Sequence, residues 1–182
     1  ARAVARRLVS HGMRRGVVLT PEGDWGTRVE AAFSEELTAA GGQVLGAATF
    51  DAGANDFGAS IKNVMRIDDS IARHRRLQTI VGQKLEFEPR RRPDVQFIFA
   101  PSPAATARML RPQLKFYMAG DIPTYTVSDA YDPARLGGDD VDGLVFPDMP
   151  WVLGTGALTA KVRSELQTAY GDAASSRGRL FA

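Results

Sequence analysis

The chain has 182 residues, of which 44% are hydrophobic, enough to bury one good core without dividing into several domains. It has no cysteine, which excludes disulfides, thiolate zinc sites and cysteine nucleophiles. It has no apolar run near the roughly 20 residues of a membrane span, and no signal peptide opens it. The formal charge is only +2, but it is uneven: positions 66–92 hold eight basic and four acidic side chains, positions 129–148 one basic and six acidic. Such asymmetry suits either a solvated surface or a partner with complementary patches.

Residues 1–11 are patterned as a helix already under way, and Arg179-Leu180-Phe181-Ala182 is again patterned like structure, so the chain reads as a segment of a longer protein. Gly16-Val17-Val18-Leu19-Thr20 is a continuous apolar run of the kind a buried parallel strand requires. Pro21-Glu22-Gly23 breaks it, Asp24 is placed to cap a helix, and Trp25, Val29, Phe33 and Leu37 follow at helical spacing up to Gly41-Gly42. A second strand spans 43–50. Phe57, Ile61, Val64 and Met65 mark a helix face, and Asp68, Asp69 and Ser70 are expected to interrupt it and start another running to Gly82. After a charged, irregular stretch at 84–93, Val95 to Ala100 is the clearest strand. Ser102 and Pro103 are expected to open a helix that ends near Pro112. Strands are expected at 115–118, 124–127 and 143–146, with a long acidic loop at 129–142 and a last helix at 158–170. Strands alternating with amphipathic helices predict an α/β fold, a mostly parallel sheet with helices on both faces. Ligands of such sheets bind beyond the carboxyl ends of the strands, here Thr20 to Trp25, Asp51, Ser102, Asp129 and Asp148.

No motif carries catalysis. Neither His11 nor His74 falls at a strand end, and there is no Gly-x-Ser-x-Gly elbow. Gly154-Thr155-Gly156 lacks the third glycine of a dinucleotide loop. Asp139, Asp140 and Asp142 do not fit a calcium loop, and Glu22 with Asp129 or Asp148 makes an acid–base pair only if the fold joins them. Arg73, Arg75, Arg76 and Arg90 to Arg92 are basic, but Phe87 is the one aromatic beside them and Glu86 and Glu88 dilute the patch, so nucleic acid is not expected. The sequence therefore points to binding without a cofactor or metal.

Four longer stretches are more specific. They are Val18-Leu19-Thr20-Pro21-Glu22-Gly23-Asp24-Trp25-Gly26, Leu85-Glu86-Phe87-Glu88-Pro89-Arg90-Arg91-Arg92, Leu110-Arg111-Pro112-Gln113-Leu114-Lys115-Phe116-Tyr117 and Asp148-Met149-Pro150-Trp151. In this order they resemble the LppC family of outer-membrane lipoproteins, over nearly the whole chain. The resemblance implies a non-enzymatic, periplasmic domain of type I periplasmic-binding-protein kind, belonging to a protein that activates a class A penicillin-binding protein, with peptidoglycan as a further candidate contact. The family's lipid anchor and helical repeats lie outside this sequence. Residues 1–150 would then be one lobe, the second of two, and 151–182 a helical return belonging to the first, with Trp151, Leu153, Leu158 and Leu166 left to drive dimerisation or to pack elsewhere. Two readings follow. As an interaction module, the domain would use Phe87, Arg90, Arg91 and Arg92, or the acidic loop at 129–142. As a small-ligand domain for amino acids or peptidoglycan fragments, it would line a cleft with Thr20, Glu22, Trp25, Ser102 and Asp129.

Overall fold

The computed structural model describes residues 1–132, 141–148 and 156–171. Helix α1 (Arg2–Ser10) leads into β1 (Arg15–Pro21), α2 (Asp24–Ala39) and β2 (Gln43–Phe50). Two successive helices, α3 (Gly58–Val64) and α4 (Ile67–Val81), and a charged return then reach β3 (Phe97–Phe99). Next come α5 (Ala104–Phe116), β4 (Thr124–Tyr125), a single 3-10 turn at Ser128–Ala130 and β5 (Leu144–Val145). These elements lie in one compact unit, Ala1–Pro147, and a second unit, Asp148–Ala182, contains α6 (Ala157–Tyr170).

The five strands are all parallel, in the order β2-β1-β3-β4-β5. The expected parallel sheet with helices on both faces is what the chain forms. Strand β1 is an inner strand, between β2 and β3, and six of its seven residues are buried, which is why it reads as an unbroken apolar run rather than an alternation. Its side chains divide between two cores. Val17 and Leu19, with Ile98, pack against Phe57, Ile61, Ile67, Leu110 and Leu114. Val18, with Phe97 and Phe99, packs against Val4, Leu8, Phe33 and Leu37. Phe33 stacks on Phe99 with ring centroids 3.9 Å apart and meets Phe97 edge-on at 6.1 Å.

Four local expectations are corrected. Residues 115–118 are not a strand: α5 continues through Pro112 to Phe116, and Met118 (φ 59) turns the chain. An internal proline forgoes one helical hydrogen bond at a cost of about 3 kcal/mol; the helix persists because Leu110 and Leu114, one turn apart, are both buried. The break between α3 and α4 falls at Arg66 (φ 54), before Asp68, because a left-handed residue there lets both Met65 and Ile67 enter the core. Asp68 and Asp69 instead occupy the first turn of α4, where carboxylates face the positive end of the helix. Asp24 lies inside α2, with Gly23 (φ 103) as its flanking residue. Ser102 does not cap α5: its hydroxyl donates to the Ala100 carbonyl at 3.3 Å, and Pro103 flanks the helix.

Candidate functional site

The chain leaves β1 for β2 on one side and returns to β3 on the other, so the reversal lies between the carboxyl ends of β1 and β3, where open α/β sheets place ligands. Thr20 lies at the end of β1, Glu22 and Trp25 follow it, Ser102 follows β3, and Asp129 lies in the 3-10 turn after β4. The structure thus sets these five cleft candidates at or just beyond the carboxyl ends of the neighbouring strands β1, β3 and β4, with Trp25 in the first turn of α2. Their side chains differ in availability. Thr20 is fully buried and donates to Glu30 Oε2 at 2.9 Å. Ser102 is 1% exposed and turned back onto its own loop. Glu22 and Asp129 are exposed, while Trp25 is half-buried. Gly26 admits no side chain, because a Cβ there would fall on the Pro21 carbonyl oxygen. Among the described residues, one buried hydroxyl at this end, Thr126 Oγ1, has no hydrogen-bond partner, an arrangement that costs stability.

The opposite end, where the strands begin, is built from guanidinium groups. Arg92 pairs with Asp94 through Nε at 2.7 Å and Nη2 at 2.9 Å, and its Nη1 donates to the Leu45 carbonyl at 3.1 Å. Arg91 makes a two-pronged pair with Asp121 at 2.7 and 2.6 Å and also donates to the Met118 carbonyl. Hydrogen bonding from these arginines holds the Asp94 and Asp121 carboxyls below the ordinary aspartate range, against the opposing effect of burial. Arg111, 5% exposed, donates to the carbonyls of Asp142 and Gly120 and to Thr124 Oγ1. Burial pushes the Arg111 pKa down, with Asp142 opposing, yet arginine stays charged throughout the physiological range. Gly143 (φ 83) leaves room for this guanidinium, since a Cβ there would sit 2.6 Å from Nη2.

Of the four interaction candidates, then, Arg91 and Arg92 are engaged in holding segments of the fold together. Arg90 is exposed, with its backbone N–H donating to Ser70 Oγ, and Phe87 stacks on His74 with centroids 4.1 Å apart. Arg66, Arg73, Arg90, Arg91 and Arg92 together line a surface depression of about 590 Å³ in which Asp94 is the one carboxylate among the lining residues. Sequence reading singled out Arg90 to Arg92 but missed Arg66 as part of the same depression, and it missed Arg111. An arginine within the apolar stripe of Leu110 and Leu114 was the available signal for the latter.

The last expectations concern the ends of the chain. Asp142 serves through its carbonyl, as above, whereas Asp139 and Asp140 lie outside the described residues. So do Trp151, Leu153, Gly154 and Thr155, while Gly156 flanks α6, Leu158 is exposed and Leu166 is half-buried. Among the described residues, no group of three histidine, aspartate or glutamate side chains is placed to hold a metal ion, and no helix is long and apolar enough to cross a membrane.

The architecture is shared with known proteins. A branched-chain amino acid ABC transporter periplasmic ligand-binding protein from Burkholderia xenovorans superposes with a TM-score of 0.66 at 17% identity, over 93% of this chain and 39% of that one. The C-domain of LpoA from Haemophilus influenzae, described as a regulator of PBP1A, superposes with a TM-score of 0.55 at 15% identity, over 93% of this chain and 45% of that one. At these identities the likeness shows the fold, that of type I periplasmic binding proteins. In sequence, the penicillin-binding protein activator LpoA of Vibrio antiquarius is 24% identical over 155 residues, 84% of this chain and 26% of that protein. The chain thus spans under a third of the length of the curated relatives it matches. The family described as "LppC putative lipoprotein" matches residues 1–182 without a break, and to that LppC family this chain belongs.

Proposed function

We propose that the chain is the non-catalytic, periplasmic binding domain of an outer-membrane-anchored lipoprotein that activates a class A penicillin-binding protein. The observation that carries this reading is the family match across the whole chain, joined to relatives named as penicillin-binding protein activators. Residues 1–150 form one lobe of a two-lobed domain and residues 151–182 its helical return. A share of 39% to 45% of the similar solved chains fits one lobe of such a pair. The buried hydroxyls of the strand ends support binding over catalysis: Thr20 and Ser102 are committed to Glu30 and to a backbone carbonyl, with no histidine beside them to act as a base.

The test is to add the full-length lipoprotein to a purified class A penicillin-binding protein from the same organism and follow glycan polymerisation. A raised initial rate with a salt-sensitive complex is expected. An unchanged rate, with no complex at micromolar concentration, overturns the proposal. The likeness to an amino acid transporter's binding protein favours a second reading, in which the strand ends hold a small ligand. Calorimetry of the full-length protein with branched-chain amino acids and with peptidoglycan fragments tests it, and heat release with a defined stoichiometry would support it.

A further inference from the structure

Helix α4 is packed at one end and bare at the other. Ile67 and Ser70 are buried and Ile71 borders the core, so the first turns rest on the sheet. Beyond His74 the apolar residues are uncovered: Leu77 is 53% exposed, Ile80 71% and Val81 51%. At 100° per residue, Arg73, Leu77 and Ile80 fall on one face of the helix, and Arg73 lines the arginine depression together with Arg66, which precedes the helix, so the bare apolar stripe runs into that depression. The return loop closes that depression where the Arg90 N–H meets Ser70.

The charge within this depression is only partly compensated. Asp94 and Asp121 neutralise Arg92 and Arg91. Arg66 reaches Asp69 only at 4.0 Å, with both side chains about 60% exposed, a pairing that holds little in water. Among the described residues, Arg73 and Arg90 have no carboxylate partner within an ion-pair distance. Guanidinium groups fixed beside apolar side chains suit a ligand carrying carboxylates and apolar groups at short spacing. An anionic bilayer fits less well, because Asp69 at the start of α4 and the exposed Glu86 and Glu88 on the loop would meet its dense negative charge.

We propose that the uncovered second half of α4 and the arginine depression dock an acidic, amphipathic segment of a protein partner. Its carboxylates pair with Arg66, Arg73 and Arg90, and its apolar side chains cover Leu77, Ile80 and Val81. The inference rests on the reading above and names the surface and chemistry by which the synthase is held.

The experiment uses full-length lipoprotein and a purified class A penicillin-binding protein, with affinity measured at two salt concentrations. Arg73→Glu with Arg90→Glu should weaken the complex about tenfold or more and flatten its salt dependence. Leu77→Ser with Ile80→Ser should weaken it several-fold at either salt. Arg28→Glu, an exposed position of α2, is the control and should leave it unchanged. All four side chains are exposed, so melting temperatures should hold, and circular dichroism checks that they do. A wild-type complex that both double variants preserve overturns this surface and leaves the proposed function standing. A wild type that neither binds nor stimulates the synthase overturns both. Binding to phosphatidylglycerol vesicles that the arginine variant abolishes, with synthase binding intact, assigns the depression to a membrane and also overturns the inference.

Discussion

The two ends of the sheet are held by different chemistry. Where the strands finish, buried hydroxyls and backbone groups satisfy one another over short distances along the chain, as Ser102 does with Ala100. Where the strands start, Arg92 pairs with Asp94 two positions away, but the guanidinium side chains also reach across 9 to 47 positions to carbonyls and carboxylates of other segments. The difference teaches that an arginine-rich stretch is two things at once here. Arg91, Arg92 and Arg111 tie the fold, and their neighbours Arg66, Arg73 and Arg90 are left for solvent or a partner.

The sharpest way to break this comparison is at Arg111. Replacing it with methionine leaves the Gly120 and Asp142 carbonyls without their donor and should cost roughly 3 kcal/mol. A fall in melting temperature of roughly 6–12 °C is the expected reading by calorimetry. A change of a degree or less would mean that the strand-start end does not depend on it.

Arg92→Ala should cost less, about 1–2 kcal/mol, because its partner Asp94 is part-exposed. It also has a pH signature. Asp94 in the folded protein lies below the ordinary aspartate value of 3.8, so its contribution is fully present above that value and is lost as pH falls through the lowered one. The stability gap between wild type and Arg92→Ala, measured by urea denaturation, should therefore be constant near neutrality and close below about pH 4. A gap that widens in acid would contradict the pairing.

The smallest effects sharpen the other end. Thr20→Val removes a hydroxyl that donates to Glu30 and should destabilise by about 1 kcal/mol. Thr126→Val removes one that has no partner and should stabilise by up to about 1 kcal/mol. The same exchange at two fully buried threonines should thus have opposite signs in one denaturation series.

The fold was legible in the sequence because its strongest signals are local. Val17 to Leu19 must be buried on both faces, and Phe33 and Leu37 sit four apart on one side of α2. Residues 115–118 misled because Pro112 looks like a stop, and whether a helix outlasts a proline is decided by what its next turn buries. The switch-point residues Thr20, Glu22 and Ser102 could be named from strand ends, but not that Thr20 is already held by Glu30. The division of labour among the arginines was hidden for the same reason: Asp121 lies 30 positions from Arg91 and Leu45 lies 47 from Arg92, and nothing local announces either partner.

Strand β2 is the outermost strand of the sheet on its side, and eight residues long. Two of its carbonyls are nevertheless taken, Leu45 by the Arg92 guanidinium and Thr49 by the Ser60 hydroxyl at 2.7 Å. At Leu45 the register with β1 also shifts, Gly16 facing Val44 and Val17 facing Gly46. An incoming strand would have to displace both donors and follow the irregularity, so the same arginine that joins β2 to the return loop also guards this flank against edge-to-edge aggregation.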